Sequence, residues 1–242
     1  MNIYDTGTFV QQLKEFDIEL SDLQVKQFLR YYEMLVEWNE KMNLTAITEY
    51  DEVITKHFVD SLALGGYITP GENQSLIDVG TGAGFPGIPL KILFPDLKVV
   101  LLDSLNKRIK FLNAVIDELG LEKVETIHSR AEDGARIPEL REHFDYAVSR
   151  AVANLSTLSE YCIPYVREGG IFVSYKSGDA NEEVKNASRA LKTLGAKVGG
   201  VTSFSLTLKE EKMDRTLIFI EKKSKTPKQY PRKAGMPSKK PL

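Results

Sequence analysis

Apolar positions along the chain fall into two regimes. In the first 70 residues they recur at helical spacing: after Ser21, which forms a capping box with Gln24, an apolar face runs through Val25, Phe28, Tyr32 and Leu35 towards Trp38. Asn39, Asn43 and Thr45 mark a turn. A second helix is predicted from Thr48 to Leu64, with Tyr50, Ile54, His57, Phe58, Ser61 and Leu62 along its stripe and Gly65-Gly66 at its end. From Ser75 onward, short apolar runs alternate with helical stretches. Strands are predicted at 75–79, 98–103, 123–127, 144–149 and 170–175, and helices at 87–94, 106–119, 131–136, 154–166 and 180–194. Two further strands, Ala196 to Leu206 and Thr216 to Glu221, are joined by the charged segment Lys209 to Arg215. With no helix between them, they form an antiparallel hairpin.

This order predicts an α/β fold, a Rossmann-like seven-stranded sheet that is parallel except for its C-terminal hairpin and covered on both faces. Residues 1–70 form a helical cap, 71–221 the sheet domain and 222–242 a basic tail. Length and composition agree, since 242 residues at 42% hydrophobic content bury a core of that size. The single cysteine, Cys162, excludes a disulfide framework and a cysteine zinc cluster, so the expected compartment is the reducing cytoplasm. No apolar run approaches the roughly 18 residues of a membrane span, and no metal site is expected. A monomer is the expected state.

Charge changes the picture only at the C-terminus. The formal net charge is −2, yet the last 21 residues carry eight cations (Lys222, Lys223, Lys225, Lys228, Arg232, Lys233, Lys239 and Lys240) and no acid. An acidic body with a basic tail points to an anionic partner engaged locally, with a solubilising tail as the alternative.

The candidate chemistry lies in Ser75-Leu-Ile-Asp-Val-Gly80-Thr-Gly-Ala-Gly84-Phe-Pro-Gly87-Ile-Pro89. A buried strand ends on Asp78 and breaks into closely spaced glycines, whose backbone can lie against a ligand that any side chain would displace. Gly80, Gly82 and Gly84 fit the D-x-G-x-G-x-G turn of S-adenosylmethionine-binding proteins. Gly82, Gly84 and Gly87 fit the dinucleotide fingerprint equally well. Asp103 ends the next strand where either template places a carboxylate for ribose hydroxyls. The terminal hairpin separates the two, because five alternating strands closed by a hairpin are the organisation of class I S-adenosylmethionine-dependent methyltransferases.

Seven elements in order resemble one family, the bacterial 16S ribosomal RNA guanine-N7 methyltransferases, or glucose-inhibited division protein B family. They are Trp38 to Thr45 (WNEKMNLT), His57 to Leu62 (HFVDSL), Asp78 to Pro89, Leu102 to Arg108 with Phe111-Leu112, Arg130 to Glu132, Ser149 to Ala153, and Tyr230 to Leu242. The resemblance implies an enzyme that methylates N7 of one guanine in a hairpin loop of small-subunit ribosomal RNA, acting on the RNA or on the ribosomal subunit. It implies cofactor contacts at Gly80, Phe85, Ala131, Glu132 and Arg150, with Gly82, Gly84 and Asp103 matching the class-wide turn and acid. One departure is Lys176-Ser-Gly178, where the family pattern is Lys-Gly.

The residues themselves agree with that target. No Pro-Cys motif serves C5 of a pyrimidine, and Ser149-Arg-Ala-Val stands where an exocyclic-amine enzyme carries N-P-P-Y. Guanine N7 is an unprotonated lone pair, so its attack needs no general base. Arg150 is assigned an anchoring role towards the cofactor carboxylate, an RNA phosphate or the guanine edge, against a structural salt bridge. Glu132 offers either its carboxylate or its backbone, and Phe85 packs on either the cofactor or the core. His57, with Asp60 one turn on, reads as a satisfied core histidine over a catalytic one, and Trp38 as core over a base-stacking platform. Lys107, Arg108 and Lys110, with Lys228, Arg232, Lys233, Lys239 and Lys240, are the candidates for RNA phosphates, against solvated surface.

Overall fold

A computed structural model describes residues 4–150 and 153–242. Its centre is one sheet of seven strands: β1 (Ser75–Val79), β2 (Lys98–Asp103), β3 (Val124–His128), β4 (Phe144–Ser149), β5 (Val166–Ser177), β6 (Ala196–Leu208) and β7 (Glu211–Lys222), in the order β3-β2-β1-β4-β5-β7-β6. The first five run parallel, while β7 is antiparallel to both β5 and β6. β1 pairs with β2 on one side and β4 on the other, so the chain reverses its direction of travel at β1 and opens a crevice beyond the carboxyl ends of the strands.

Ten α-helical segments surround the sheet among the described residues. α1 (Gly7–Leu13), α2 (Asp22–Met42), α3 (Tyr50–Val53) and α4 (Asp60–Leu62) precede it. α5 (Gly87–Leu93), α6 (Asn106–Glu118), α7 (Ala131–Gly134), α8 (Leu155–Cys162) and α9 (Asn181–Thr193) alternate with strands, and α10 (Met236–Lys239) lies near the C-terminus. Neighbouring residues of the central strands serve opposite faces. Leu76, Val148 and Val173 join a core with Phe28, Phe58 and Phe111, whereas Ile77, Ala147 and Phe172 join one with Leu158, Ala187 and Leu191. Strands buried on both faces therefore read as continuous apolar runs. The N-terminal helices share the first of these cores with the sheet.

The capping box at Ser21 is present, its hydroxyl accepting from the Gln24 N–H. Several boundaries differ from the sequence reading. α1 was not expected, since only Phe9 and Leu13 of its seven residues are buried. The helix expected over 48–64 is interrupted: α3 passes into a π-helical turn over Ile54–Val59, then α4, then a 3-10 turn over Ala63–Gly66. The helix expected over 154–166 stops at Cys162, and Pro164 sits in a 3-10 turn. The helix expected over 131–136 ends at Gly134. The charged connection of the hairpin is strand almost throughout. Leu206 pairs with Met213 and Leu208 with Glu211, leaving Lys209-Glu210 as the turn. No described helix is long and apolar enough to cross a membrane.

Candidate functional site

Two cavities open at the carboxyl edge of the sheet, one on each side of the end of β4. The first, of about 320 Å³, is lined by the β1 turn at Gly80, by Asp103 and Arg108, by Ser129 to Glu132, by Tyr161, and by Gly235 and Ser238 from the C-terminal segment. Its floor is backbone held by carboxylates. Asp78 is fully buried, and its Oδ2 accepts the Thr81 hydroxyl at 2.7 Å and the Gly87 N–H at 2.8 Å. Burial pushes this carboxyl up to about 7, against those hydrogen bonds, and its Oδ1 has no partner among the described residues. Asp103 accepts the Gly82 N–H and the Leu105 N–H, both at 2.9 Å, and pairs with Arg108 at 3.1 Å.

The glycines of the turn divide by role. Gly80 and Gly82 have φ of +75° and +64°, and a Cβ on either would meet no atom within 4 Å. They border open space, the cradle a nucleoside-type cofactor needs. A Cβ on Gly84 would lie 2.5 Å from the Tyr31 hydroxyl and 2.7 Å from Ile88, so Gly84 is required by packing.

The second cavity, of about 440 Å³, is lined by Lys56, His57 and Asp60 from the π turn and α4, by Arg150, by Tyr175 and Lys176 of β5, and by Arg215 of β7. One carboxylate organises it. Asp60 accepts from Arg150 Nη1 at 2.8 Å and from Arg215 Nε at 3.2 Å. Arg150 also donates to the Lys56 carbonyl at 2.8 Å, lies 3.2 Å from His57 Nδ1, and sits over the Phe85 ring. A guanidinium only donates, so towards Arg150 Nδ1 is the acceptor; this puts the His57 proton on Nε2, towards Thr45 Oγ1 at 3.0 Å, and makes the 3.2 Å approach of Nδ1 to the Lys56 carbonyl a contact without a hydrogen. Burial, reinforced by Arg150, pushes His57 down to about 3, which keeps it neutral. These groups lie in and just after the π turn, where the Lys56 carbonyl, His57 and Asp60 all meet one guanidinium.

The sequence-selected residues therefore separate. Gly80, Asp103, Arg108, Ala131 and Glu132 line the first cavity, and Arg150 lines the second. Gly82 reaches the first through its N–H on Asp103, while Gly84 lies behind it. Phe85 stacks on His57 at 4.6 Å and Tyr31 at 5.4 Å between the two. Trp38 packs against Phe111 in the core. His57 is half-buried rather than fully in the core, its partners are Thr45 and Arg150, and Asp60 faces the two arginines. Ala151 and Val152 of the Ser149 to Ala153 element lie outside the described residues.

Three cations proposed for RNA are committed within the protein. Arg108 neutralises the buried Asp103, Lys107 donates to the Met42 carbonyl at 2.6 Å and completes the end of α2, and Arg232 is held by the buried Glu160 at 2.6 Å. Lys110, Lys228, Lys233, Lys239 and Lys240 face solvent. Asp60, Arg215, Lys176, Tyr161, Gly235 and Ser238 were missed as site residues. The HFVDSL and Tyr230 to Leu242 elements and the Lys176-Ser-Gly178 departure carried the local signals for four of them. Among the described residues, no group of three or more His, Cys, Asp or Glu side chains is placed to hold a metal ion.

Comparison with known proteins agrees with this architecture. The chain is similar to the "Ribosomal RNA small subunit methyltransferase G" of Lachnoclostridium phytofermentans, with 53% identity over 98% of each chain, and to that of Lactococcus lactis subsp. lactis, with 52% identity over 97% of this chain and 98% of the other. Among solved structures it resembles M. jannaschii TYW2, solved in complex with AdoMet, with a TM-score of 0.56 at 14% identity over 73% of this chain and 79% of that one. That likeness places the fold among class I methyltransferases. The family model described as rRNA small subunit methyltransferase G matches residues 24–214. The backbone-built cavity at the switch point thus lies inside a sequence match that spans most of the chain, and the protein belongs to the rRNA small subunit methyltransferase G family.

Proposed function

We propose that this chain transfers the methyl group of S-adenosylmethionine to N7 of one guanine in a hairpin loop of 16S ribosomal RNA, in line and without a general base, as a monomer in the cytoplasm. The observation that carries the reading is that the carboxylates and the imidazole lining the second cavity are each engaged by a partner, with Asp179 accepting the Asn181 N–H at 2.9 Å and Glu183 paired with Lys176 at 2.7 Å. The His57 Nδ1 lone pair is occupied by Arg150, Asp60 is shared by two guanidinium groups, and the Tyr175 hydroxyl donates to the Ser61 carbonyl at 2.9 Å. Cys162 is buried, which pushes its thiol well up and leaves no thiolate for addition to a pyrimidine. An acceptor with its own lone pair matches such a cavity, and guanine N7 is one.

When bound, S-adenosylmethionine supplies an electrophilic methyl group on a sulfonium sulfur. Gly80 and Gly82 offer it open backbone, Asp103 a buried carboxylate, and Ala131 and Glu132 the turn after β3, with Gly84 and Phe85 supporting the cradle from behind. Arg150 stands between the two cavities and orients the acceptor rather than exchanging protons. Lys56, Lys176 and Arg215 line the second cavity, each paired with a carboxylate, Glu52, Glu183 and Asp60, that the phosphates of an unpaired loop would have to displace. Exposed Lys110, Lys228, Lys233, Lys239 and Lys240 extend that attraction, so replacing the last four by Ala should flatten the salt dependence of RNA binding by about 0.7 for each phosphate no longer neutralised.

The decisive experiment maps 7-methylguanosine in 16S ribosomal RNA from cells with and without the protein. One position should lose its methyl group when the protein is absent. An unchanged map would overturn the guanine-N7 reading, and transfer of labelled methyl to a small acceptor in preference to RNA would overturn the RNA reading.

A further inference from the structure

The segment beyond β7 is not a free tail. Lys222 is almost fully buried against Glu142 at 3.0 Å, and Thr226 donates its N–H to the same carboxylate at 2.7 Å. Arg141 donates to the Tyr230 and Thr226 carbonyls, both at 2.9 Å, and Arg136 to the Pro231 carbonyl. Glu160, fully buried on α8, then accepts the backbone N–H of Arg232 at 2.7 Å and its guanidinium at 2.6 Å. Arg232 is its one paired cation among the described residues. Three residues on, the chain turns at Gly235, φ +79°, whose N–H donates to Glu132 Oε1 at 2.7 Å, and the Thr157 hydroxyl donates to the Pro237 carbonyl at 3.1 Å.

These anchors set Gly235 and Ser238 in the wall of the first cavity, facing Gly80 and Asp103 across it. We infer that the C-terminal segment is part of the cofactor site, with Gly235 to Ser238 as one wall and with Glu160 and Glu132 as positioning residues that hold it. The inference rests on the S-adenosylmethionine reading of that cavity. It gives Glu132 a task that neither side of the sequence reading contained: its carboxylate holds the protein's own backbone. It also divides the basic segment, since Arg232 serves the cofactor side while Lys233, Lys239 and Lys240 remain outward for RNA.

The test uses the full chain with S-adenosylhomocysteine as the probe, read by calorimetry, together with the melting of the ligand-free protein. Gly235→Pro deletes the N–H that reaches Glu132 and excludes the positive φ, while every charge and the Arg232–Glu160 pair remain. Its Kd for S-adenosylhomocysteine should rise by roughly tenfold or more with little change in ligand-free melting. Arg232→Ala should lose both affinity and melting temperature, and Arg232→Lys should recover part of each. If Gly235→Pro does not fold, Ser238→Trp, which fills the cavity from an exposed position, carries the same decision. A wild-type Kd in the variant overturns the inference and leaves the cofactor reading standing. A wild-type protein that does not bind S-adenosylhomocysteine overturns both.

Discussion

The two cavities at the edge of the sheet are built from different materials. The first is lined by main chain, at Gly80, Ala131 and Gly235, and its carboxylates are spent on holding N–H groups in place: Asp78 on Gly87, Asp103 on Gly82 and Glu132 on Gly235. The second is lined by side-chain charges that hold one another, with Arg150 and Arg215 on Asp60 and His57 against Arg150. A site made of backbone is fixed by local turns and suits a ligand of invariant shape. A site made of ion pairs can exchange partners when an anionic, mobile substrate arrives. The contrast predicts that substitutions in the second cavity alter transfer without altering cofactor affinity, and the reverse for the first.

The strongest way to break that contrast is Asp60→Asn. Arg150 and Arg215 lose their shared counter-charge, so methyl transfer to RNA should fall by about 10²-fold. Affinity for S-adenosylhomocysteine should stay within about twofold of wild type. A matching loss of cofactor affinity would show that the cavities are one site. The glycines sharpen the same contrast on the first side. Gly80→Ala places a methyl group in the open cradle at positive φ and should weaken S-adenosylhomocysteine binding by about tenfold. Gly84→Ala drives its methyl group into Tyr31 and Ile88 and should cost about 2 kcal/mol of stability in denaturant titrations, with its effect on binding secondary.

A pH profile also separates the cavities. His57 is held down to about 3, so between that value and its ordinary 6.5 the unfolded chain binds a proton that the native protein does not, and stability rises with pH. Asp78 is held up to about 7 from 3.8, so over that range the native protein binds the extra proton and stability falls with pH. Between about 4 and 6.5 the two slopes oppose. His57→Gln removes only the rising one. Its stability relative to wild type should therefore change by up to about 1.4 kcal/mol per pH unit across that window, the variant declining more steeply as pH rises. Parallel pH profiles for variant and wild type would show that His57 titrates normally.

The same difference in material decided what could be read from the chain. The glycine turn, Asp103 and the succession of strands along the chain were legible because turn geometry and buried parallel strands are specified within a few residues. The partners in the second cavity were not, since Asp60 meets Arg150 across 90 positions and Arg215 across 155. Lys209 to Arg215 looked like a connection because charge hides strand character. Its pairing with Leu206 and Leu208 across the hairpin makes it strand all the same. Lys222 and Arg232 looked like outward cations for the same reason, as Glu142 and Glu160, which neutralise them, stand far upstream.

The π turn over Ile54–Val59 has a consequence for how this segment tolerates changes of length. A π turn amounts to an α-helix carrying one extra residue. Loss of any single residue between Ile54 and Val59 would let the helix close into ordinary α geometry. The helix on either side would keep its facing, since the wide turn is what accommodates the extra residue, so Asp60 would stay by Arg150. The residues inside the turn would be re-aimed, and His57 would leave the guanidinium although neither residue had changed. In this segment the number of residues is itself part of the site.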